Sequence, residues 1–232
     1  MPSTAPGGPG GPGCRSRAAA PDLADDGRDP RRVPENWREL IDPEEWALNH
    51  EGLPARRAAR VIVLREVPTR AVLLAVGHDF ADAGRSWAFT PGGGLMPGES
   101  PMQGALRELA EETGIRLTGS DLEGPVVERS AHFAFNLVTC RQDELFYLAR
   151  LDAVLAARAD AARDQDGQMD RSGWTPLERD VLDSLRWWPL DELDAAVGAG
   201  MVVHPQALPA LARRLLRGWD GKVLTIREEG GD

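Results

Sequence analysis

The stretch from Gly93 to Ile115 constrains this chain more than any other part of it. Ser100-Pro101-Met102-Gln103 reads as a capping box with proline at the first helical position, and Gly114 stands where a C-terminal glycine belongs. The spacing predicts a helix between them. On a wheel of about 100° per residue, Met102, Ala105, Leu106, Leu109 and Ala110 form an apolar face. Glu108, Glu111 and Glu112, at i, i+3 and i+4, form one acidic stripe about 100° wide on the other side. Three crowded carboxylates repel one another unless a cation joins them. Hard oxygen ligands on one rigid face suit Mg²⁺ or Mn²⁺ rather than zinc. The glycines just before the helix let backbone come close to a ligand and expose a carbonyl as a further ligand.

The spacing is fuller than a helix with three glutamates. Gly93 is followed after five residues by Glu99, then after seven by Arg107-Glu108-Leu109, then by Glu111-Glu112 and Gly114-Ile115. This pattern resembles the Nudix box at every defining position, and the chain is identified as similar to the Nudix hydrolases. The resemblance implies an α/β fold: an α/β/α sandwich around a mixed β-sheet, with the box as loop–helix–loop. It also implies divalent-metal-dependent hydrolysis of the pyrophosphate bond in a nucleoside diphosphate linked to another moiety. Carried over to this chain, it makes Glu108, Glu111 and Glu112 metal ligands, one of them also a base for water. The carbonyl of Gly92 becomes a further ligand, and Glu99 and Arg107 become supporting residues that orient the glutamates. The alternative is a Nudix-like domain that senses a nucleotide without turning it over; an intact box disfavours it. ADP-ribose, dinucleoside polyphosphates, nucleotide sugars and damaged nucleotides all remain open as substrates, because specificity lies outside the box.

Weaker candidates flank the box. Trp87 and Phe89 alternate onto one face of the strand entering it, suited to core packing or to stacking on a base. Arg85, Arg129 and Arg141 are possible phosphate grips, although surface arginines rarely do anything so specific. Glu178 is the favoured general base outside the box, against the competing role of closing a capping box with Thr175. His132 and His204 are expected to be structural, and Cys140 a small core or turn residue.

Composition bounds the rest. Lys and Arg number 27 against 37 Asp and Glu, a net charge of −10, which disfavours nucleic acid as a partner. An acidic protein can still hold a polyanionic nucleotide through Mg²⁺. The longest apolar run, Ala71 to Val76, suits one buried strand and not a membrane span. Two cysteines supply neither a disulfide framework nor a zinc set, and a reduced, cytoplasmic setting is expected. Residues 1–33 hold six prolines and six glycines and read as a disordered tail. Residues 34–54 read as a helical lead-in, expected to lid the sheet or to pack on a second subunit in a homodimer. Residues 55–227 read as the Nudix hydrolase domain.

Local patterns fill in the elements. Asp42-Pro43-Glu44-Glu45 reads as the start of a helix carrying Trp46 and Leu48. Arg60 to Arg65 and Ala71 to Val76 read as an antiparallel pair, and Trp87 to Thr90 as a short strand. Val126 to Val138 and Glu144 to Leu151 read as strands bracketing Thr139 to Asp143. Residues 153–173 read as a helix fragment and loop, and Thr175 opens another helix. Leu185 to Trp188 reads as a strand, Pro189 begins a short helix, and a last helix runs from Pro209 to Arg217.

Overall fold

Alternation along one strand explains the layering. In β2 (Pro54–Arg65), Ala59, Val61 and Val63 face one side, and Ile62 and Leu64 face the other; all five are fully buried. A strand apolar on both faces must be covered on both faces. The computed structural model describes residues 33–78, 86–135, 138–161 and 182–231, and in it helices lie on both sides. The α2 helix (Pro101–Thr113) packs Ala105 and Leu109 against Val61, Leu73 and Ala149. On the opposite face, α4 (Leu190–Gly198) and α5 (Leu208–Leu216) pack Leu193, Leu211 and Leu215 against Ile62, Leu74 and Leu148.

The sheet is mixed, as expected. β2 runs parallel to β7 (Val138–Leu151) over Ala55 to Arg65. It also pairs antiparallel with β1 (Ala47–Leu48), β5 (Gly92–Gly94) and β3 (Ala71–His78). β3 continues to β4 (Ser86–Phe89) and β8 (Leu182–Pro189). Beyond them, β4 pairs with β9 (Val202–His204). On the other flank β7 forms an antiparallel pair with β6 (Glu123–Phe135), and β6 pairs in parallel with β10 (Leu224–Gly231).

Two local expectations are corrected. Asp42 starts no helix over Trp46 and Leu48: its Oδ1 accepts from the Glu44 backbone at 2.8 Å in a turn, and Ala47–Leu48 pairs with β2. The helix of the lead-in lies earlier, as α1 (Trp37–Leu40). An Asp followed by Pro opens a turn as readily as a helix, and here the edge of β2 takes the following residues. Thr139 to Asp143 is not a break between strands but the first part of β7. Thr139, Arg141 and Asp143 alternate onto its more exposed face, while Gln142 is buried on the other face against Glu144. Helix α3 (Ala153–Ala161) occupies the start of the 153–173 segment; the helix expected at Thr175 lies outside the described residues.

Residues 34–54 pack on this chain itself. Trp37, Ile41 and Trp46 form a third buried cluster with Val138 and Cys140, and Trp46 meets Phe133 edge-on at 6.2 Å. Burial pushes the Cys140 thiol up to about 12, consistent with a core role. Among the described residues, no helix is long and apolar enough to cross a membrane.

Candidate active site

The predicted helix forms as its sequence dictates. Ser100 caps α2 by accepting from the Gln103 backbone, Gln103 answers to the Ser100 N–H at 2.9 Å, and Gly114 closes it at φ 72°. That fixes the angular positions of Glu108, Glu111 and Glu112. The acidic stripe does not simply face water: Glu108 and Glu112 are buried, while Glu111 stays half exposed. The glycine strand β5 lies against both buried carboxylates.

The contact is intimate. The backbone N–H of Gly92 donates to Glu112 Oε2 at 2.8 Å. A Cβ on Gly93 would stand 2.7 Å from the Glu108 carboxylate, so a larger residue there would displace that side chain from its place against the strand. A Cβ on Gly104 would meet Leu95 at 2.5 Å, which brings the loop and helix together in the same way.

Arg107 organises the rest. Its guanidinium donates to Glu99 at 2.9 and 3.0 Å, to Glu108 at 2.7 Å, to Glu111 at 3.1 Å and to the Gly94 carbonyl at 3.0 Å. The hydrogen bond from Arg107 holds the Glu99 carboxyl below its usual range. Conversely Glu99, then Glu108, stabilise the Arg107 charge. Sequence reasoning placed Glu99, Arg107, Glu108, Glu111, Glu112 and Gly92 together, and the fold assembles all six.

The flanking candidates separate. Phe89 is half-buried, with the Arg60 guanidinium 5.4 Å from its ring centre, and Trp87 is half-buried on the same strand. Arg129 is buried in an ion pair, and Arg141 donates to Glu51 at 3.1 Å away from the glutamates. His132 lies 3.6 Å from Glu51 and His204 3.5 Å from Glu228. Arg85 and Glu178 lie outside the described residues.

A second group of residues went unnoticed in the sequence. Arg60 Nη1 donates to the carbonyls of Thr90 at 3.0 Å and Gly92 at 2.8 Å, and its Nε pairs with Glu144. Glu144 is fully buried and also pairs with Arg129, whose fork reaches Glu228 on β10 at 2.6 and 2.9 Å. Burial opposes the Glu144 charge, but Arg60 and Arg129 outweigh it and hold the carboxyl below its usual range. A signal did exist. Arg56 and Arg60 occupy the same face of β2 as Ala58, Ile62 and Leu64, and charged residues on an otherwise buried face call for partners.

The NUDIX domain family matches residues 54–211, more than half of the chain. The chain belongs to the Nudix family. Two curated relatives of this Nudix chain are RNA pyrophosphohydrolases. The one from Bartonella bacilliformis is 37% identical over 72 residues, covering 30% of this chain and 42% of the relative. The one from Rhizobium meliloti is 39% identical over 77 residues, covering 32% and 46%. The chain thus spans less than half the length of these relatives. Among solved structures, a NUDIX hydrolase from Alicyclobacillus acidocaldarius aligns at TM-score 0.48 and 16% identity, over 69% of this chain and 91% of that one. The MutT protein from Bacillus halodurans aligns at 0.46 and 19%, over 74% and 89%. The Nudix assignment therefore stands on the family match and on the chain's own mixed sheet flanked by helices.

Proposed function

We propose that this Nudix protein is a hydrolase that cleaves the pyrophosphate bond of a nucleotide-type substrate, using Mg²⁺ or Mn²⁺ held by Glu108, Glu111 and Glu112. The observation that carries this reading is the burial of Glu108 and Glu112 in contact with the glycine strand, where Glu112 accepts from the Gly92 N–H and Glu108 fills the space a side chain on Gly93 would need. Surface glutamates that only solvate a helix have no need of such a neighbour.

The donor set is chemically right for a hard divalent cation: carboxylate oxygens on adjacent turns of one rigid helix, beside the Gly92 and Gly94 carbonyls, which accept from Arg60 and Arg107. Among the described residues, no three acidic, histidine or cysteine side chains are gathered closely enough to hold a metal ion as they stand. Arg107 instead spans Glu108 and Glu111. Binding a cation would draw those two carboxylates from Arg107, which keeps Glu99 and the Gly94 carbonyl as partners. Bound there, a divalent cation would neutralise phosphate charge and lower the pKa of water. The chain's own residues do the remaining work. The Gly92 N–H orients Glu112, Arg107 and Glu99 anchor the loop to the helix, and a box carboxylate takes the proton of the attacking water. Glu178 is a second candidate for that base. Phe89 and Trp87 are proposed to contact substrate from the strand that enters the box, and Arg85 is proposed as a further substrate contact.

The test is release of nucleotide or phosphate from a panel of ADP-ribose, a dinucleoside polyphosphate, a nucleotide sugar and a damaged nucleoside triphosphate. Each is assayed with Mg²⁺, with Mn²⁺ and with EDTA. A 5′-triphosphorylated RNA oligonucleotide belongs in the panel because of the relatives' names, although a net charge of −10 favours a small nucleotide over RNA. Turnover that EDTA abolishes is expected. Tight binding of one member without turnover would replace the hydrolase by a nucleotide sensor.

A further inference from the structure

The glycine strand is gripped from beneath by a residue outside the box. Arg60 and Gly92 are partners in register across β2 and β5. Gly92 sits at φ 140°, and a Cβ there would lie 2.5 Å from Arg60 Cα and 2.6 Å from its Cγ. The box pattern begins at Gly93 and does not account for glycine at 92. The close approach of the β2 backbone at Ala59 and Arg60 does.

Arg60 is itself held from the far side. Its Nε pairs with Glu144 Oε1, which also accepts from Gln142 at 2.6 Å. Arg129 binds the other Glu144 oxygen and forks onto Glu228 Oε2. The Gln206 backbone fixes Glu228 Oε1 at 2.8 Å. The side chains of Arg60, Glu144, Arg129 and Glu228 are only 12%, 0%, 7% and 17% exposed. Buried ion pairs are on average no more stabilising than apolar residues of similar volume. The neighbouring positions on this face, Ile62 and Leu64, show that apolar residues fit here. Stability alone therefore does not explain the ladder, whereas its end-point does. It ends on the Gly92 carbonyl, and the N–H of the same glycine holds Glu112.

We propose that Arg60 is a positioning residue, which fixes the Gly92 backbone and through it the Glu112 carboxylate, and that Glu144 on β7, Arg129 on β6 and Glu228 on β10 hold Arg60 in place. This rests on the hydrolase reading of the site. It makes β10, remote from the box in sequence, part of the support for the reacting geometry.

The experiment compares wild type with Arg60→Met, Arg60→Lys and Glu228→Gln in the full chain. It reads hydrogen exchange of residues 92–95, Mn²⁺ binding by electron paramagnetic resonance, melting temperature, and kcat and KM on the best substrate. Arg60→Met should speed exchange in 92–95, weaken Mn²⁺ binding about 10-fold and lower kcat by about 10–100-fold, as loss of a supporting contact typically does, with KM little changed. Arg60→Lys should recover part of the kcat. Glu228→Gln, at the far end of the ladder, should show the same signature at smaller size, and it serves if Arg60→Met fails to fold. A lower melting temperature with unchanged Mn²⁺ binding and kcat would reduce the ladder to a structural device and overturn the proposal. A rise in KM alone would make Arg60 a substrate contact and overturn it equally. Wild type that turns over no member of the panel would fail the hydrolase reading, while exchange and Mn²⁺ binding would still decide what Arg60 does.

Discussion

Two charged clusters meet at Gly92, and they are built in opposite ways. At the box, one guanidinium, Arg107, is shared among Glu99, Glu108 and Glu111. In the ladder one carboxylate, Glu144, is shared between Arg60 and Arg129, with Gln142 as a further donor. The first arrangement is open to another cation, because its carboxylates outnumber the arginine that joins them. The second is closed, with Glu228 completing the charge balance and solvent nearly excluded. Both clusters bury carboxylates, so burial alone does not mark a reactive site. The ratio of partners does: carboxylates sharing one arginine can exchange it for metal, whereas a carboxylate between two arginines is committed to structure.

The sharpest way to break this contrast is on the closed side. Arg129→Met leaves Glu144 and Glu228 buried without their common partner, and removing one member of a buried pair typically costs about 3–5 kcal/mol. A denaturant melt should show that loss; a drop below about 1 kcal/mol would mean that the ladder is not closed. On the open side the effect should fall on rate. Glu112→Gln keeps an acceptor for the Gly92 N–H but removes a charge proposed to bind metal. Supporting changes around metal ligands already cost about 10–100-fold, so turnover should fall at least about 100-fold with little change in melting temperature. Near-normal turnover at saturating Mg²⁺ would remove Glu112 from the metal set.

Arg107→Met tests the hinge between the two ideas. It frees Glu108 and Glu111 but unlatches Glu99 and the Gly94 carbonyl, and divalent-metal affinity should fall by about 10–100-fold because the loop loses its anchor. Tighter metal binding in a calorimetric titration would show instead that Arg107 chiefly competes with the cation. The smallest expected effect is in acid. Burial raises the Glu228 carboxyl, but His204, Arg129 and the Gln206 backbone bring it down to about 2 from an ordinary 4.5. A depressed carboxyl contributes stability above its unfolded pKa and loses it as pH falls through the folded value. Stability should therefore decline between about pH 5 and pH 2. Glu228→Gln should remove about 1–2 kcal/mol of that slope, after allowing for its partial solvent contact. An unchanged acid melt would place the acid sensitivity in Glu144 or elsewhere.

Legibility followed how locally each feature is encoded. Helix α2 was readable to its ends because a capping box and a left-handed glycine act within a few residues. α4, α5 and β8 were found for similar reasons, each within a few residues of its sequence signals. The lead-in was misread because Asp42-Pro43 has two local outcomes, and pairing of Ala47 with Ala55 decided between them. β9 and β10 carry too little apolar pattern to be seen alone; they are strands because β4 and β6 offer edges to pair with.

The site divides along the same line. Spacing along the chain determined that Glu108, Glu111 and Glu112 share one helix face, and that Glu99 and Arg107 stand within reach of it. That is a consequence of 3.6 residues per turn and requires nothing beyond the helix. Only the tertiary structure decided which of those carboxylates is buried and which solvated: Glu108 and Glu112 lie buried against β5, and Glu111 stays half exposed. It alone brought Arg60 under Gly92 and joined Arg60 to Glu144, 84 residues away, and Arg129 to Glu228, 99 residues away. Such contacts depend on the order of strands in the sheet, and no periodicity within a single element encodes that order.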